Sequence, residues 1–205
     1  MKMKKTGKKI LLLCMAMLMV TGMTSTALAA EATGVTGTMD SAISDPLKDD
    51  GKGNPASQAG GKKIKANPTA AKVLVDGTVV EFEAYTIDGN NYFKLRDIAK
   101  IVSGSEKQFE VSWDSTKKAI NLVSKKSYTK VGGELAKGDG KTKDAIKCTS
   151  TILKDGKSVD LKAYTINGNN YFKLRDLGSS FDFDVSWNSK ENSIVIDTTK
   201  SYTAD

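Results

Sequence analysis

The 205-residue chain contains no histidine. Its absence removes the commonest general base and the commonest metal ligand together, which excludes much familiar enzymology. Cysteine is nearly as scarce, with Cys14 and Cys148 only. Cys14 falls inside an apolar leader, so once that leader is removed Cys148 stands alone and no intrachain disulfide can hold the fold. A lone exported thiol leaves a Cys148-linked dimer as the available cross-link; the plainer reading is a small apolar residue at a strand edge. Without an imidazole partner it is a poor candidate nucleophile. Aromatic residues are missing entirely before Phe82, and all three prolines, Pro46, Pro55 and Pro68, precede that point. The stretch from 30 to 68 is rich in Gly, Ser, Ala, Asp and Lys and shows no sustained apolar period. Such a segment buries too little apolar surface to offset its ordering entropy, which predicts a flexible, disordered linker.

The leader itself is tripartite. A basic stretch from Met1 to Lys9 is followed by an apolar run from Ile10 to Val20 and then by Thr26-Ala27-Leu28-Ala29-Ala30. This is the layout of a secretory signal with a small-residue cleavage site, and it predicts cleavage after Ala29. The apolar run is about half of the roughly 20 residues that span a bilayer, so no permanent membrane span is expected in the mature chain. The expected location is secreted or extracellular, with association to the cell wall left open. The formal charge of +7 shrinks with the leader: five of the 31 basic residues lie in the first nine positions and no acid precedes Glu31, leaving 26 against 24, or +2. A near-neutral mature chain gives little electrostatic reason to bind nucleic acid.

The fourteen aromatic residues fall in two groups of seven, Phe82 to Tyr128 and Tyr164 to Tyr202. The groups are copies. Ala84 to Asp97 recurs as Ala163 to Asp176 with thirteen of fourteen positions identical, the exception being Asp88, which becomes Asn167. Phe109-Glu110-Val111-Ser112-Trp113-Asp114-Ser115 recurs as Phe183-Asp184-Val185-Ser186-Trp187-Asn188-Ser189, and Ser127-Tyr128-Thr129 as Ser201-Tyr202-Thr203. The offset is 79 residues at the first motif and 74 at the others, so the first copy carries five extra residues between them. The expected organisation is a signal peptide over 1–29, a flexible linker over 30–68, one repeat over 69–130, an inter-repeat linker over 131–146 and a second repeat over 147–205.

Within each copy the apolar period changes. Asp76-Gly77 and Asp155-Gly156 are two-residue turn signals that predict hairpins, and Asp88-Gly89 and Asn167-Gly168 suit type I′ turns, whose two central residues need positive φ. Leu95, Ile98, Ala99 and Val102, like Leu174, Leu177, Gly178 and Phe181, fall at i, i+3, i+4 and i+7 and predict a short helix with one apolar stripe. Alternation at Phe109/Val111/Trp113, Ile120/Leu122, Phe183/Val185/Trp187 and Ile194/Ile196 predicts half-buried strands. The fold class expected is α+β: two tandem small domains, each an antiparallel β-sheet packed on one short α-helix. The predicted core comprises Leu95, Ile98, Phe109, Val111, Trp113 and Ile120 with Leu174, Leu177, Phe183, Val185, Trp187 and Ile194. A unit of about 60 residues buries only ~60% of its unfolded surface and is marginal alone.

The combination Leu95-Arg96-x-x-Ala99, Val111-x-Trp113-Asp114 and Ile120-x-Leu122 resembles the copper amine oxidase N-terminal-like domain, or stalk domain, common in exported proteins of Gram-positive bacteria. The second copy matches through Leu174-Arg175, Val185-x-Trp187 and Ile194-x-Ile196, with Gly178 for Ala99 and Asn188 for Asp114. The resemblance covers roughly 69 to 205 as two tandem copies. It implies a small antiparallel sheet on one helix, used as an appended, non-catalytic module. It does not imply amine oxidation, which needs histidine copper ligands and a large catalytic domain.

Few residue patterns in the chain carry chemistry. Gly140-Lys141-Thr142 ends like a phosphate loop, but Leu135 stands where the first glycine belongs. Asp139 and Asp144 alternate with lysines, and Asp49-Asp50-Gly51 lacks calcium-loop spacing. No catalytic residue, metal or cofactor is therefore assigned. Arg96-Asp97 and Arg175-Asp176 read as helix-start pairs, with the acid favoured by the helix dipole. The turn role also explains the Gly-Asn-Asn-Tyr elements, whose candidate function is a binding surface of Tyr85, Asn90, Asn91, Tyr92, Tyr164, Asn169, Asn170 and Tyr171, with tyrosines keeping an exposed edge. The expected function is a secreted, non-catalytic binding or spacer module at the bacterial cell surface. Its partners would be cell-wall polysaccharide or another surface protein. The alternatives are a small secreted hydrolase using paired carboxylates and a structural subunit of a larger extracellular assembly.

Overall fold

In the computed structural model, which describes residues 61–204, every sheet combines strands from both sequence copies. The first copy supplies β1 (Lys63–Pro68), β2 (Lys72–Val75), β3 (Thr78–Val79), β4 (Ala84–Ile87), β5 (Asn90–Lys94), α1 (Leu95–Val102), β6 (Phe109–Asp114) and β7 (Ala119–Ser124). The second supplies β8 (Lys143–Lys147), β9 (Thr151–Lys154), β10 (Lys157–Ser158), β11 (Ala163–Ile166), β12 (Asn169–Lys173), α2 (Leu174–Phe181), β13 (Asp184–Asn188) and β14 (Ser193–Asp197). The expected signal peptide and most of the expected linker lie outside the described residues.

Six strands close a barrel in the order β1-β4-β5-β12-β11-β8, three from each copy. Two four-stranded sheets flank it, β10-β9-β7-β6 and β13-β14-β2-β3. Each joins a hairpin of one copy to a hairpin of the other through a parallel pair, β7 with β9 and β14 with β2. The registers obey a pseudo-two-fold rule. Pro68 faces Tyr85 as Lys147 faces Tyr164, Phe93 faces Phe172 across the middle of the barrel, and Lys65 faces Asp144 across its opposite seam. The last two pairs mark where the axis passes.

Side chains repeat the rule. The four predicted turns have positive φ at both central residues, as type I′ geometry requires. Two of their aspartates do more. Asp76 accepts hydrogen bonds from the Thr198 N–H and hydroxyl, both at 2.8 Å, and Asp155 accepts from the Ser124 N–H and hydroxyl at 2.8 and 2.7 Å. Each turn of one copy thus ties down the last strand of the other.

The structure is mostly β-sheet with two short helices, and it corrects the separate-domain expectation. The core beneath α1 and α2 is one cluster that mixes Val73, Phe93, Ile98, Phe109 and Ile120 with Ile152, Phe172, Leu177, Phe183 and Ile194. Phe181 of α2 stacks on Phe109 of β6 with ring centroids 3.9 Å apart. Neither sheet is wholly antiparallel, and neither belongs to one copy. Two supposed linkers also contain strands: β1 lies in the 30–68 segment, and β8 begins in the 131–146 segment and ends at Lys147. Both are short, lysine-bearing barrel strands whose inward face carries little more than Ile64 and Ala66, or Ala145, so composition masks their alternation.

Ten of the twelve predicted core side chains, among them Leu95, Val111, Leu174 and Val185, are buried. The two tryptophans are the exceptions. Trp113 is only partly buried against the core, and Trp187 is 50% exposed. Both sit near the hairpin end of an edge strand. An eight-residue helix is about 12 Å long, and α2 covers Phe183 and Val185 without covering Trp187.

The shorter connection in the second copy explains Gly178. A Cβ there would lie 2.8 Å from Val185 Cγ2 and 2.9 Å from the Phe183 carbonyl oxygen, closer than real contacts allow. In the first copy, with five more residues between helix and strand, Ala99 fits fully buried. Gly178→Ala is therefore expected to destabilise by about 2 kcal/mol despite its gain in helix propensity. Thermal unfolding checks this; an unchanged or raised Tm would contradict the close approach.

Candidate functional site

The barrel interior holds the candidate tyrosines. Two-residue alternation on β4, β5, β11 and β12 turns Tyr85, Tyr92, Tyr164 and Tyr171 inward with Ile87 and Ile166. Tyr85 meets Tyr171 edge to face at 5.4 Å between centroids, and Tyr92 meets Tyr164 at 5.1 Å. Tyr85, Tyr92 and Tyr171 are buried, so the exposed tyrosine platform is overturned; closure of the barrel turns their strand faces into an interior. The Tyr85 hydroxyl finds a protein acceptor inside, donating to Glu83 Oε1 at 2.8 Å. Burial, reinforced by Glu83, pushes the Tyr85 and Tyr171 phenols far above their usual range, and burial beside Tyr164 pushes Tyr92 up to about 12.

The asparagines divide. Asn170 is buried and accepts from the Thr165 hydroxyl at 3.0 Å, while Asn91 accepts from Thr86 at 3.1 Å and Thr69 at 3.3 Å. These bonds hold strand ends. Asn90 and Asn169 stay partly exposed at opposite ends of the barrel, with Asn90 donating to the Asp88 carbonyl at 2.9 Å.

The two barrel ends carry the same residues in different surroundings. At the first, residues 131–139 cross the barrel. The Leu135 N–H donates to Asp97 Oδ1 at 2.9 Å, Lys137 pairs with Glu81 at 3.6 Å, and Gly138 lies where any Cβ would be 2.8 Å from Glu83 Cγ. Beneath this strap, Arg96 Nη1 donates to the Tyr128 hydroxyl at 3.3 Å, which donates to Glu134 Oε1 at 2.8 Å. Lys94, itself buried, pairs with Glu83 at 3.6 Å. Burial opposes the Glu134 carboxylate, but the N–H groups of Val131 and Gly132 and the Tyr128 hydroxyl outweigh it and hold its pKa down at about 2. Asp97 is fully buried and its Oδ2 has no hydrogen-bond partner. Burial pushes its carboxyl up to about 6, against the Leu135 N–H and Lys94 and with repulsion from Glu83 and Glu134.

A raised carboxyl pKa of this kind accompanies acid–base catalysis when a substrate can reach the group. Here the space between Lys94, Arg96 and Glu134 is about 10 Å³, at the limit of one water molecule. The knot is a packing device.

At the second barrel end the same positions stay open. Tyr164, Lys173, Arg175 and Asp176 are partly exposed where Tyr85, Lys94, Arg96 and Asp97 are buried. A groove of about 500 Å³ opens there between the β4–β5 turn, the residues after β8 and the segment from Ser158 to Ala163. Tyr92, Tyr164 and Cys148 line it together with Lys147, Asp160 and Lys162. Across Asn90, which lines both, lies a smaller hollow of about 90 Å³ formed by Asn91, Lys173, Arg175 and the exposed Trp187. Sequence patterning placed Trp187 in the core, and neither its strand alternation nor its place near the end of an edge strand separates it from Trp113. Among the described residues no group of three or more metal-ligating side chains occurs. No helix among them is long and apolar enough to cross a membrane.

The family model described as the copper amine oxidase N-terminal domain matches residues 74–196. That span is 123 of the 205 residues and runs as one copy through both sequence repeats, from β2 to β14. No curated protein and no solved structure matches the chain.

The buried Asp97 gives the fold a pH signature. An acid whose pKa is about 6 folded and near 4 unfolded favours folding when protonated, so its contribution is present below pH 4 and lost as pH rises to 6. Asp97→Asn keeps an acceptor for Leu135 and removes the charge. It is expected to stabilise by on the order of 2 kcal/mol at pH 7 and to match the parent protein near pH 4. Denaturant titrations at the two pH values check this; a variant weaker than the parent at pH 7 would contradict it.

Proposed function

The chain belongs to the copper amine oxidase N-terminal domain family, a non-catalytic stalk-type domain, and from that premise we propose that it is an exported, non-catalytic binding and spacer module at the bacterial cell surface that grips a wall glycan through Trp187. The observation that carries the reading is the 50% exposure of Trp187, in a protein whose other large aromatic rings are mostly turned into two cores. An indole face offers a flat apolar platform to the C–H face of a sugar ring. The neighbouring amides of Asn90 and Asn91 and the cations Lys173 and Arg175 supply polar groups for hydroxyls and carboxylates, the usual composition of a small-ligand site. The near-neutral mature charge and the secretory leader support an extracellular target over a nucleic acid.

A carboxylate hydrolase fits less well. The acids that converge, Asp97, Glu83 and Glu134, do so under the strap, where no substrate has room. At the second end Asp176 accepts the backbone N–H of Lys162 at 3.0 Å, and Asp160 is exposed.

The test compares the two tryptophans. A chain starting at Ala30 is expected to sediment with purified cell wall at both low and high salt. Trp187→Ala should reduce that binding at least tenfold while changing stability by less than about 0.5 kcal/mol, as surface substitutions do. Trp113→Ala should lower Tm and leave binding by the folded fraction intact. Binding unaffected by Trp187→Ala, or none by the parent chain, would overturn the proposal.

A further inference from the structure

The pseudo-two-fold relation carries one step further at the open groove. At the first barrel end, the residues that lead into β8 run over the barrel mouth before the strand begins. Thr142 donates from its hydroxyl to Asn67 Oδ1 at 3.0 Å, and upstream of it Leu135, Lys137 and Gly138 meet Asp97, Glu81 and Glu83. The strand related to β8 is β1. Its first residue, Lys63, faces Ile146, so the chain entering β1 arrives beside Lys147 and Cys148, the rim of the groove. The groove is therefore to the residues before β1 what the covered end is to the residues before β8.

Sequence supports the correspondence. At the 79-residue offset, Gly132, Gly140 and Lys141 fall on Gly53, Gly61 and Lys62. The span from Gly53 to Gly60 holds only Gly, Asn, Pro, Ala, Ser and Gln, small or neutral residues suited to a groove whose Lys147 and Lys162 are balanced by Asp88 and Asp160. Reach is sufficient, since eight extended residues cover roughly 26 Å. The two ends also differ in the expected manner: Glu83, which pairs with Lys94 under the strap, is replaced at the open end by exposed Lys162. A carbonyl-rich, uncharged segment can accept hydrogen bonds from that ammonium without needing a buried partner acid.

We infer that the groove lined by Tyr92, Cys148, Asp160, Lys162 and Tyr164 is the docking site for the chain's own segment Gly53–Gly60. By the same offset Gly53 and Pro55 fall beside Lys173, Arg175 and Asn90 at the edge of the Trp187 hollow, so the glycan reading and this inference meet there, while Cys148, which lines the groove and not the hollow, reports on docking by itself.

Cys148 is a built-in reporter, because a chain starting at Ala30 has no other thiol. In that chain the Cys148 thiol should react with an aromatic disulfide reagent at least fivefold more slowly than in the variant Pro55→Glu/Ser57→Glu/Ala59→Glu. The rates should not depend on protein concentration. A free peptide of residues 50–62 added to the triple variant should restore the protection, which separates loss of docking from loss of folding. Equal rates in the two chains would overturn the inference, as would peptide that gives no protection. Protection that grows with protein concentration would assign the groove to a second copy instead and overturn it equally.

Discussion

Everything else in the molecule depends on the antiparallel pairing of β5 with β12, where Phe93 of one sequence copy faces Phe172 of the other. Both rings are fully buried, and either one truncated to alanine would cost about 3–5 kcal/mol. Together with the opposite seam between β1 and β8, the pairing joins two three-stranded sets into a closed barrel and so removes the exposed edges that each would otherwise present. It also brings Tyr85 against Tyr171 and Tyr92 against Tyr164, so that the barrel interior is filled by rings from both copies. The parallel pairs β7–β9 and β14–β2 and the turn aspartates Asp76 and Asp155 then follow the same symmetry outward. A half-sized unit would leave all of these surfaces open, which is why a 60-residue copy is a poor candidate for independence. The family match runs through both repeats as a single domain, from within β2 to within β14, and of the strands leaves only β1 outside it.

Symmetric construction makes the asymmetry informative. Identical Lys-Leu-Arg-Asp elements sit at the two barrel ends, yet one is sealed with Asp97 held near a pKa of 6 and the other meets solvent. The difference arises from the connection between copies, which spends its backbone N–H groups on Asp97 and Glu134. A duplicated protein can in this way seal one end with its connection and leave the identical element at the other end partly exposed.

Local structure was legible from residue patterns because it depends on local physics. The Asp-Gly and Asn-Gly turns, the helix stripes at Leu95 to Val102 and Leu174 to Phe181, and most strand faces follow from φ preferences and periodicity alone. What escaped was pairing between copies. Alternation says that Tyr85 and Tyr92 share a face, but only the closed barrel decides that this face is inside. The same limit misplaced Trp187, whose strand pattern equals that of Trp113 while its cover does not. Strands β1 and β8 escaped for a different reason: their lysines and small inward residues resemble linker composition.

The central claim is that the two copies are one folding unit. It is tested most directly by producing residues 61–130 and 131–204 as separate chains and following each by near-ultraviolet circular dichroism through a denaturant titration. The account predicts that neither chain alone shows a cooperative transition, and that mixing them restores one. A cooperative transition in either isolated half, with a native-like aromatic signal, would contradict it.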